Sequence, residues 1–499
     1  MAGNQRTRRR FLGEASCTAV GATSLFSTLL NMRSAWALAG PGAVRVAEPP
    51  PGDDYKALVC LFLAGGNDSY NMLVPRGATE YAEYAAIRGD LALPQQSLLP
   101  ISPITSDGRE FGVHPAMPEV QQLFAAGRLA FVNNVGSLVE PTTLQGVVSG
   151  SNRLPLGLYS HSDQITHWQT SLPDQRGSLG WAGRTADLLN ASNSNQTVSM
   201  NISLSGTNIF QAGRQVAPYS ITENGSLGLE PLGQTGVFDQ LRTTAIDSLL
   251  DQTYQNLFID TFSKSTRDAL AAHALFSSAL EAAPPLISTF SENDVSRSFE
   301  MVARTISVRR TLGVRRQTFF ILFGGWDHHD EVLNNQASML PVVSKALAEF
   351  DTALAEIGAR NDVVTFTASD FARTLTSNGR GSDHAWGGHH LVMGGPVVGG
   401  DLYGSYPSLY AGNPLDTGRG RLIPTLSCDE YFAEMALWLG VSASDLATVL
   451  PNIGRFYTPG TAPPIGFLGG GVRPSSIFTD GFESGDLSAW SSSTASRAR

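Results

Sequence analysis

The chain has 499 residues, of which 42% are hydrophobic and 16% charged, with 51 glycines and 27 prolines. This length suits two to four folding units, and the composition excludes a coiled coil, a collagen-like rod, a disordered acidic protein and a polytopic membrane protein. Without its first 39 residues the chain has 29 basic and 43 acidic residues, so its formal net charge goes from −10 to −14. A nucleic-acid partner is therefore not expected.

The first 39 residues predict an export signal. TRRRFLG at 7–13 is followed by a mildly apolar stretch at 15–30 and by a small-x-small site at 37–39. This order is typical of a twin-arginine signal peptide. A membrane anchor is the alternative, but the stretch is short and rich in Ser, Thr and Gly for a hydrocarbon core about 30 Å thick. We predict a periplasmic or secreted mature protein without a transmembrane segment.

Apolar runs alternate with helical patterns along the main part of the chain. The run at 57–64 is unbroken, as in a strand buried on both faces. Similar runs lie at 129–136, 318–330 and 363–374, and a shorter one begins at Leu391. Helical patterns such as PAMPEVQQLFAAGR and ASMLPVVSKALAEFDTALAEIGAR separate them. The alternation predicts an α/β domain with a mostly parallel sheet.

The composition changes mark the predicted domain boundaries. A Pro-rich linker at 40–54 precedes the α/β domain, which we place at 55–457. Within this domain, the polar and then helical segment near 190–310 is interpreted as an insertion or cap. A Pro/Gly linker at 458–474 and a short tail at 475–499 follow.

Acidic and imidazole side chains follow the predicted strands. Asp68, Asp327 and Asp370 each come just past an apolar run, where ligand sites of open α/β sheets gather. Five of the nine histidines lie within 63 residues. Each feature alone has a plain structural explanation, since Asp after a strand is often a helix N-cap. Together they predict a Zn²⁺, Mn²⁺ or Fe site, with these candidate ligands: Asp68, Asp327, His329, Asp370, Asp383 and His384.

The chemistry that such a site supports is hydrolysis of a phosphoryl or related ester. Two bound cations can hold a substrate oxygen, lower the pKa of a water or hydroxyl group, and offset leaving-group charge. His161 lies beside Ser160 in YSHSDQ and is a further candidate for a position near the site.

Several segments resemble one known family. LFLAGGNDSYNMLVP, YSHSDQ, GWDHHD and SDFARTLTSNGRGSDHAWGGHHLVMGGPVVGG are similar to the family called domain of unknown function 1501, over roughly 55–457. These are twin-arginine-exported bacterial proteins of the alkaline phosphatase-like (sulfatase/phosphatase) superfamily. The resemblance implies a three-layer α/β/α sandwich with a mostly parallel central sheet. It also implies one or two divalent metal ions, with Zn or Mn expected, and a Ser, Thr or modified Cys nucleophile.

The resemblance also suggests metal-ligand roles by order along the chain. Asp68 resembles the ligand after the first strand, and Asp327 with His329 resembles an Asp…His pair. Asp370 takes the place of the Asp in a later Asp-His pair. The last ligand would then be Asp383 or His384.

For the nucleophile, the resemblance favours Ser160 first and Ser69 second. Arg373 is a candidate for binding an anionic ester, because a guanidinium matches phosphate or sulfate oxygens. One departure from the family pattern is Phe371, which stands where a His ligand is expected. We therefore predict a metal-dependent hydrolase of a small phosphate- or sulfate-type ester. The alternative is a non-catalytic exported binding or assembly protein that uses the same fold as a scaffold.

Overall fold

The structure is a computed structural model that describes residues 54–105, 107–229, 235–460 and 462–468. The predicted signal peptide, nearly all of the first linker and the predicted tail lie outside these residues.

Twelve strands and eleven α-helices are found in the described residues. The strands are β1 (Lys56–Leu63), β2 (Leu73–Pro75), β3 (Leu99–Ile101), β4 (Phe111–Val113), β5 (Leu129–Gly136), β6 (Asn201–Ser203), β7 (Tyr219–Ser220), β8 (Arg316–Phe323), β9 (Val363–Ser369), β10 (Gly388–Met393), β11 (Leu402–Tyr403) and β12 (Leu426–Ser427). The helices are α1 (Ala78–Arg88), α2 (Pro118–Ala125), α3 (Leu144–Ser149), α4 (His161–Thr170), α5 (Trp181–Leu189), α6 (Val237–Leu250), α7 (Leu257–Glu281), α8 (Asp294–Ser307), α9 (Val332–Glu356), α10 (Cys428–Leu439) and α11 (Leu446–Val449).

The main sheet has nine strands in the order β11-β5-β10-β9-β1-β8-β6-β7, with β12 also paired to β5. Strand β1 lies at its centre and runs parallel to both β8 and β9. Strand β10 is antiparallel to its neighbours β9 and β5. The remaining pairings in the described sheet are parallel. The predicted mostly parallel sheet is confirmed.

Each face of the sheet is covered by helices. In β1, Ala57, Val59 and Leu61 belong to one buried cluster, together with apolar residues of α2, α8 and α9. Leu58, Cys60 and Phe62 belong to the opposite cluster, with residues of α10 and α11. Because alternate side chains of a strand point to opposite faces, β1 lies between two helical layers. The predicted α/β/α sandwich is confirmed.

The segment near 190–310 is partly integral to this sandwich. Strand β6 pairs with β8 and so extends the main sheet, and α8 packs on α9. Only the helical pair α6–α7 projects from the body over much of its length, because few of its residues between 237 and 268 are buried. The sequence does not show this division, since β6 has three residues and no apolar run.

The packed chain also continues beyond Tyr457. Glu434 on α10 accepts backbone hydrogen bonds from Ile465, Gly466 and Leu468 at 2.9–3.1 Å. Phe467 is fully buried. Part of the predicted Pro/Gly linker therefore lies on the core.

Among the helices of the described ranges, none combines the length and the apolar character needed to cross a bilayer.

Candidate metal centre

The candidate site lies at the carboxyl edge of the central strands. Asp327 and His329 follow β8, and Asp370 follows β9 directly. His384 lies in the loop that leads into β10, which starts at this edge because it runs antiparallel to β9. His161 is the first residue of α4. Five side chains from four parts of the chain thus meet at the edge where α/β proteins bind ligands.

Gly65, which follows β1, allows the loops to approach one another here. Its φ is +121°, and a Cβ at this position would lie 2.4 Å from the backbone nitrogen of Asp327. The N–H group of Gly65 donates to Oδ1 of Asp370 at 3.0 Å. A residue with a side chain would push the β8 loop away from β1.

Three imidazole nitrogens and one carboxylate oxygen converge at this edge. Nε2 of His384 lies 3.1 Å from Nε2 of His161 and 2.8 Å from Nε2 of His329. Oδ1 of Asp327 lies 3.2 Å from Nε2 of His329. The same oxygen lies 3.4 Å from Nε2 of His161 and 3.4 Å from Nε2 of His384. His161, Asp327 and His384 have donor atoms that all lie within 4.8 Å of one another.

The opposite ring nitrogen of each histidine faces a group that can only accept a hydrogen bond. Nδ1 of His161 donates to Oδ2 of Asp370 at 2.6 Å. Nδ1 of His384 donates to the carbonyl oxygen of Tyr159 at 2.7 Å. A neutral imidazole that donates through Nδ1 presents a lone pair at Nε2. Nδ1 of His329 has the same kind of partner, because Oδ1 of Asp383 lies 3.2 Å away.

Neighbouring charges keep Asp327 ionised. Partial burial raises its pKa, but the guanidinium of Arg373 outweighs this effect and holds the pKa of Asp327 below its usual value. Nη2 of Arg373 donates to Oδ1 of Asp327 at 2.5 Å. The hydrogen bond that His161 donates to Asp370 raises the pKa of His161, whereas burial lowers the pKa of His384. The centre therefore joins a charged carboxylate to imidazoles of different basicity.

These donor atoms fit a divalent cation. Ligands at about 2.0–2.1 Å from one tetrahedral zinc ion lie about 3.3 Å apart. Nε2 of His161, Nε2 of His384 and Oδ1 of Asp327 lie 3.1–3.4 Å from one another. Lone pairs at such distances repel one another unless a cation or a proton lies between them. The mixed N and O donors are those that zinc and manganese accept.

Two of the six predicted metal ligands, Asp327 and His384, form this group together with His161. His329 lies beside it, with Nε2 2.8 Å from Nε2 of His384. Asp370 and Asp383 lie one step further out, where they accept from the histidine Nδ1 atoms. Carboxylates in this position orient metal-binding histidines. The buried carboxylate of Asp68 instead pairs with Arg88 at 2.5 Å.

The predicted nucleophiles differ in their surroundings. Ser160 lies next to His161, and its Oγ is 3.2 Å from Oγ of Ser162. Ser69 is buried, and its Oγ accepts from the backbone N–H of His389 at 2.9 Å. Arg373, predicted to bind an anion, is fully buried against Asp327.

The imidazole that lies beside Asp370 is that of His161. The sequence leaves a gap in the ligand pattern at 371, and the structure brings the imidazole of His161 beside Asp370 instead. The Phe371 ring lies 4.8 Å from the His161 ring and 4.5 Å from the His384 ring, between centroids. Phe371 therefore supports two of the converging imidazoles by packing.

Tyr159 is the contributor that sequence reasoning missed altogether. It reaches the site through its backbone carbonyl, with a φ of +77° that is rare for a residue with a side chain. Such strained residues cluster at functional sites. No side-chain pattern could have identified it.

The fold and these donor atoms define an α/β protein with a candidate metal centre at the carboxyl edge of its sheet. Residues 55–417 match the model of the family described as protein of unknown function DUF1501, and the chain belongs to this family. The resemblance to this family noted in the sequence is confirmed over residues 55–417. A search of curated protein sequences returns no match.

Solved structures show only distant similarity. The complex of Ps i-CgsB with k-i-k-neocarrahexaose is 10% identical at a TM-score of 0.31, over 78% of this chain and 72% of that chain. The soluble domain of lipooligosaccharide phosphoethanolamine transferase A from Neisseria meningitidis is 9% identical at 0.29, over 81% and 95%. A mutant of alkaline phosphatase PafA is 11% identical at 0.23, over 64% and 63%.

Proposed function

We propose that this protein is an exported metal-dependent hydrolase of small phosphate- or sulfate-type esters. The observation that carries the proposal is the convergence of Nε2 of His161 and His384 with Oδ1 of Asp327. These three residues would hold one zinc or manganese ion. Nε2 of His329 lies 2.8 Å from Nε2 of His384 and 3.2 Å from Oδ1 of Asp327. A divalent ion bound there supplies Lewis acidity: it lowers the pKa of a water molecule and offsets charge on the ester.

The protein's own residues prepare the site for this chemistry. Arg373 keeps Asp327 ionised, and Asp370 fixes the His161 ring with Nε2 turned inward. The side chains of Asp327, His161 and His384 remain 46%, 31% and 23% exposed, so an ester can reach the donor atoms from solvent. Buried neighbours therefore hold the donor side chains in place, while solvent can still reach them.

Ser160 is the better placed of the two candidate nucleophiles. It is partly exposed and adjacent to His161, whereas Ser69 is buried and engaged with the backbone of His389. A water molecule activated at the centre is the alternative nucleophile, and the variant Ser160→Ala distinguishes the two. Loss of turnover with full metal content favours Ser160; retained turnover favours water.

The scaffold alternative rests on the missing histidine at position 371. The imidazole of His161 lies beside Asp370 and supplies a donor atom to the group, which supports the hydrolase over the scaffold.

Export is the second part of the proposal, and it rests on the sequence at 7–39. The double variant Arg8→Lys/Arg9→Lys should keep the protein in the cytoplasm, measured by cell fractionation. Unchanged export of this variant would contradict the twin-arginine route.

The first experiment is elemental analysis of the gel-filtered protein, followed by a screen of p-nitrophenyl phosphate and sulfate. We expect about one equivalent of zinc or manganese per chain and hydrolysis of at least one ester. His384→Ala should lose both, whereas His273→Ala on α7 should lose neither. A folded wild-type protein without metal would contradict the proposal, as would metal binding that His384→Ala leaves unchanged.

A further inference from the structure

The exposed apolar side chains are concentrated on the projecting helical pair α6–α7. Of eighteen large hydrophobic residues that are exposed in the described ranges, eight lie between 237 and 262. They include Phe238, Phe258 and Phe262, which are the exposed phenylalanines of those ranges. The eight are 47–79% exposed: Val237, Phe238, Leu241, Leu249, Leu257, Phe258, Ile259 and Phe262.

Three of the four on α6 lie on one stripe. Phe238, Leu241, Ala245 and Leu249 follow one another at spacings of three, four and four residues, so they share one helical face. Such spacing is typical of a face that packs against another helix. In α6 only Leu250 is buried.

The pair is nevertheless firmly attached. The later part of α7 contributes Ala272, Phe276 and Leu280 to the main core, and the Phe276 ring lies 5.8 Å from the Tyr219 ring. Because α7 is continuous over 25 residues, its core-bound half supports the projecting half. The exposed apolar residues therefore lie on helices that are anchored in the core through α7.

The exposed surface matches the size of a protein interface. From the exposed fractions of these eight side chains, their summed apolar surface is roughly 900 Å². The largest apolar patch of a monomer is usually about 300–600 Å², and a standard interface buries about 800 Å² per partner. We propose that α6–α7 docks against α6–α7 of a second copy of this chain, forming a two-fold dimer.

The charges on the pair favour this occupant over a lipid surface. Its three basic residues, Arg242, Lys264 and Arg267, each pair with a carboxylate of the same segment at 2.8–3.6 Å. Residues 237–268 hold five acidic residues against these three, so their net charge is −2. Membrane-surface helices instead carry free Lys and Arg on the polar face.

Apolar faces that meet their own copy need no complementary charge pattern. An isologous interface places the same patch on both subunits. This arrangement would cover the stripe of α6 together with Phe258 and Phe262, which share one face of α7.

The test is sedimentation equilibrium of the full mature chain and of Phe238→Asp/Leu241→Asp. We expect a dimer for the wild type and a dissociation constant at least ~100-fold higher for the variant, because both side chains would lie at the centre of the interface. Both positions are exposed, so the fold should survive, which circular dichroism checks. Phe258→Asp/Phe262→Asp on α7 should weaken the dimer in the same way.

Val148→Asp is the matched control, since Val148 is 77% exposed on α3. This control should remain dimeric. A wild-type monomer at micromolar concentration would overturn the proposal, whether or not it binds vesicles containing phosphatidylglycerol. A dimer that both double variants leave intact would overturn it as well.

Discussion

Nδ1 of His161 donates a hydrogen bond to Oδ2 of Asp370 at 2.6 Å, across 209 residues of sequence. This contact joins the first residue of α4 to the residue that directly follows β9. It fixes both the tautomer and the direction of the imidazole, because a carboxylate can only accept. The inward lone pair of His161 thus depends on a carboxylate that does not itself face the other two imidazoles.

The variant Asp370→Asn tests this dependence. An amide at 370 can still accept from Gly65 N–H, but it cannot hold the Nδ1 proton of His161 with a full negative charge. Loss of such an orienting carboxylate weakens metal binding roughly 10–100-fold. We expect the zinc affinity of Asp370→Asn to fall within that range. Competition with a chromogenic zinc chelator measures it.

Asp351→Asn is a suitable control for Asp370→Asn, because Asp351 pairs with Arg128 and Arg360 away from the centre. Its zinc affinity should equal that of the wild type. Equal affinities for Asp370→Asn and the wild type would show that Asp370 does not act through His161.

The backbone of Tyr159 offers a second test. Its carbonyl oxygen accepts from Nδ1 of His384 only while the residue keeps its φ of +77°. Glycine adopts this conformation without strain, whereas a β-branched residue strongly disfavours it. Both Tyr159→Gly and Tyr159→Val remove the ring, so a difference between them reports on the backbone alone.

We expect Tyr159→Gly to bind zinc more tightly than Tyr159→Val by about tenfold, since about 1–2 kcal/mol of strain separates the two residues. Isothermal titration calorimetry with zinc measures the difference. Similar affinities for the two variants would mean that the left-handed conformation does not position His384.

The sequence predicts most of the sheet because its central strands are buried on both faces. Strand β5 covers the predicted run at 129–136, and β1 and β9 begin within one residue of the predicted runs. Long apolar runs of this kind are typical of strands buried on both faces, so the sequence predicts them directly. Strands β6 and β7 have three and two residues, and their positions depend on the neighbour β8 or on each other rather than on a local pattern.

The site is predictable only in part, for a related reason. Asp327, Asp370 and His384 lie close in sequence to central strands, so the sheet edge gathers them. His161 lies on a helix after β5, and only the tertiary fold brings its ring to Asp370. Asp68 follows a strand just as Asp327 does, yet it turns inward to Arg88, and nothing in the local sequence distinguishes the two cases.

The Asp68–Arg88 ion pair should contribute strongly to the stability of the fold. Both side chains are fully buried, and Arg88 also donates to the backbone carbonyl of Thr374 at 3.1 Å. Arg88→Met would leave the Asp68 carboxylate buried without its partner, which costs about 3–5 kcal/mol of the free energy of unfolding. Urea denaturation followed by circular dichroism measures this loss.

Arg176→Met is the matched control, because Arg176 is 76% exposed in its pair with Asp163. Arg176→Met should lower the free energy of unfolding by less than about 1 kcal/mol. Asp68→Asn separates an ion-pair role from the predicted metal-ligand role. Asp68 binds the metal as well if Asp68→Asn lowers both stability and metal content while Arg88→Met lowers stability alone.

Asp429, near the start of α10, gives a prediction for the pH dependence of stability. Burial raises the pKa of Asp429 to about 8, from 3.8 as its ordinary value. Between these values the folded chain holds a proton at Asp429 that the unfolded chain has released, so the contribution of this group to stability falls as pH rises. The free energy of unfolding falls by at most about 1.4 kcal/mol per pH unit through this group.

Asp429→Asn should remove this slope. It should therefore gain stability over the wild type between pH 5 and pH 8, measured by urea denaturation at each pH unit. Asp445→Asn, at an exposed position, should follow the wild type throughout, and parallel curves for Asp429→Asn and the wild type would show that Asp429 is ionised in the folded protein.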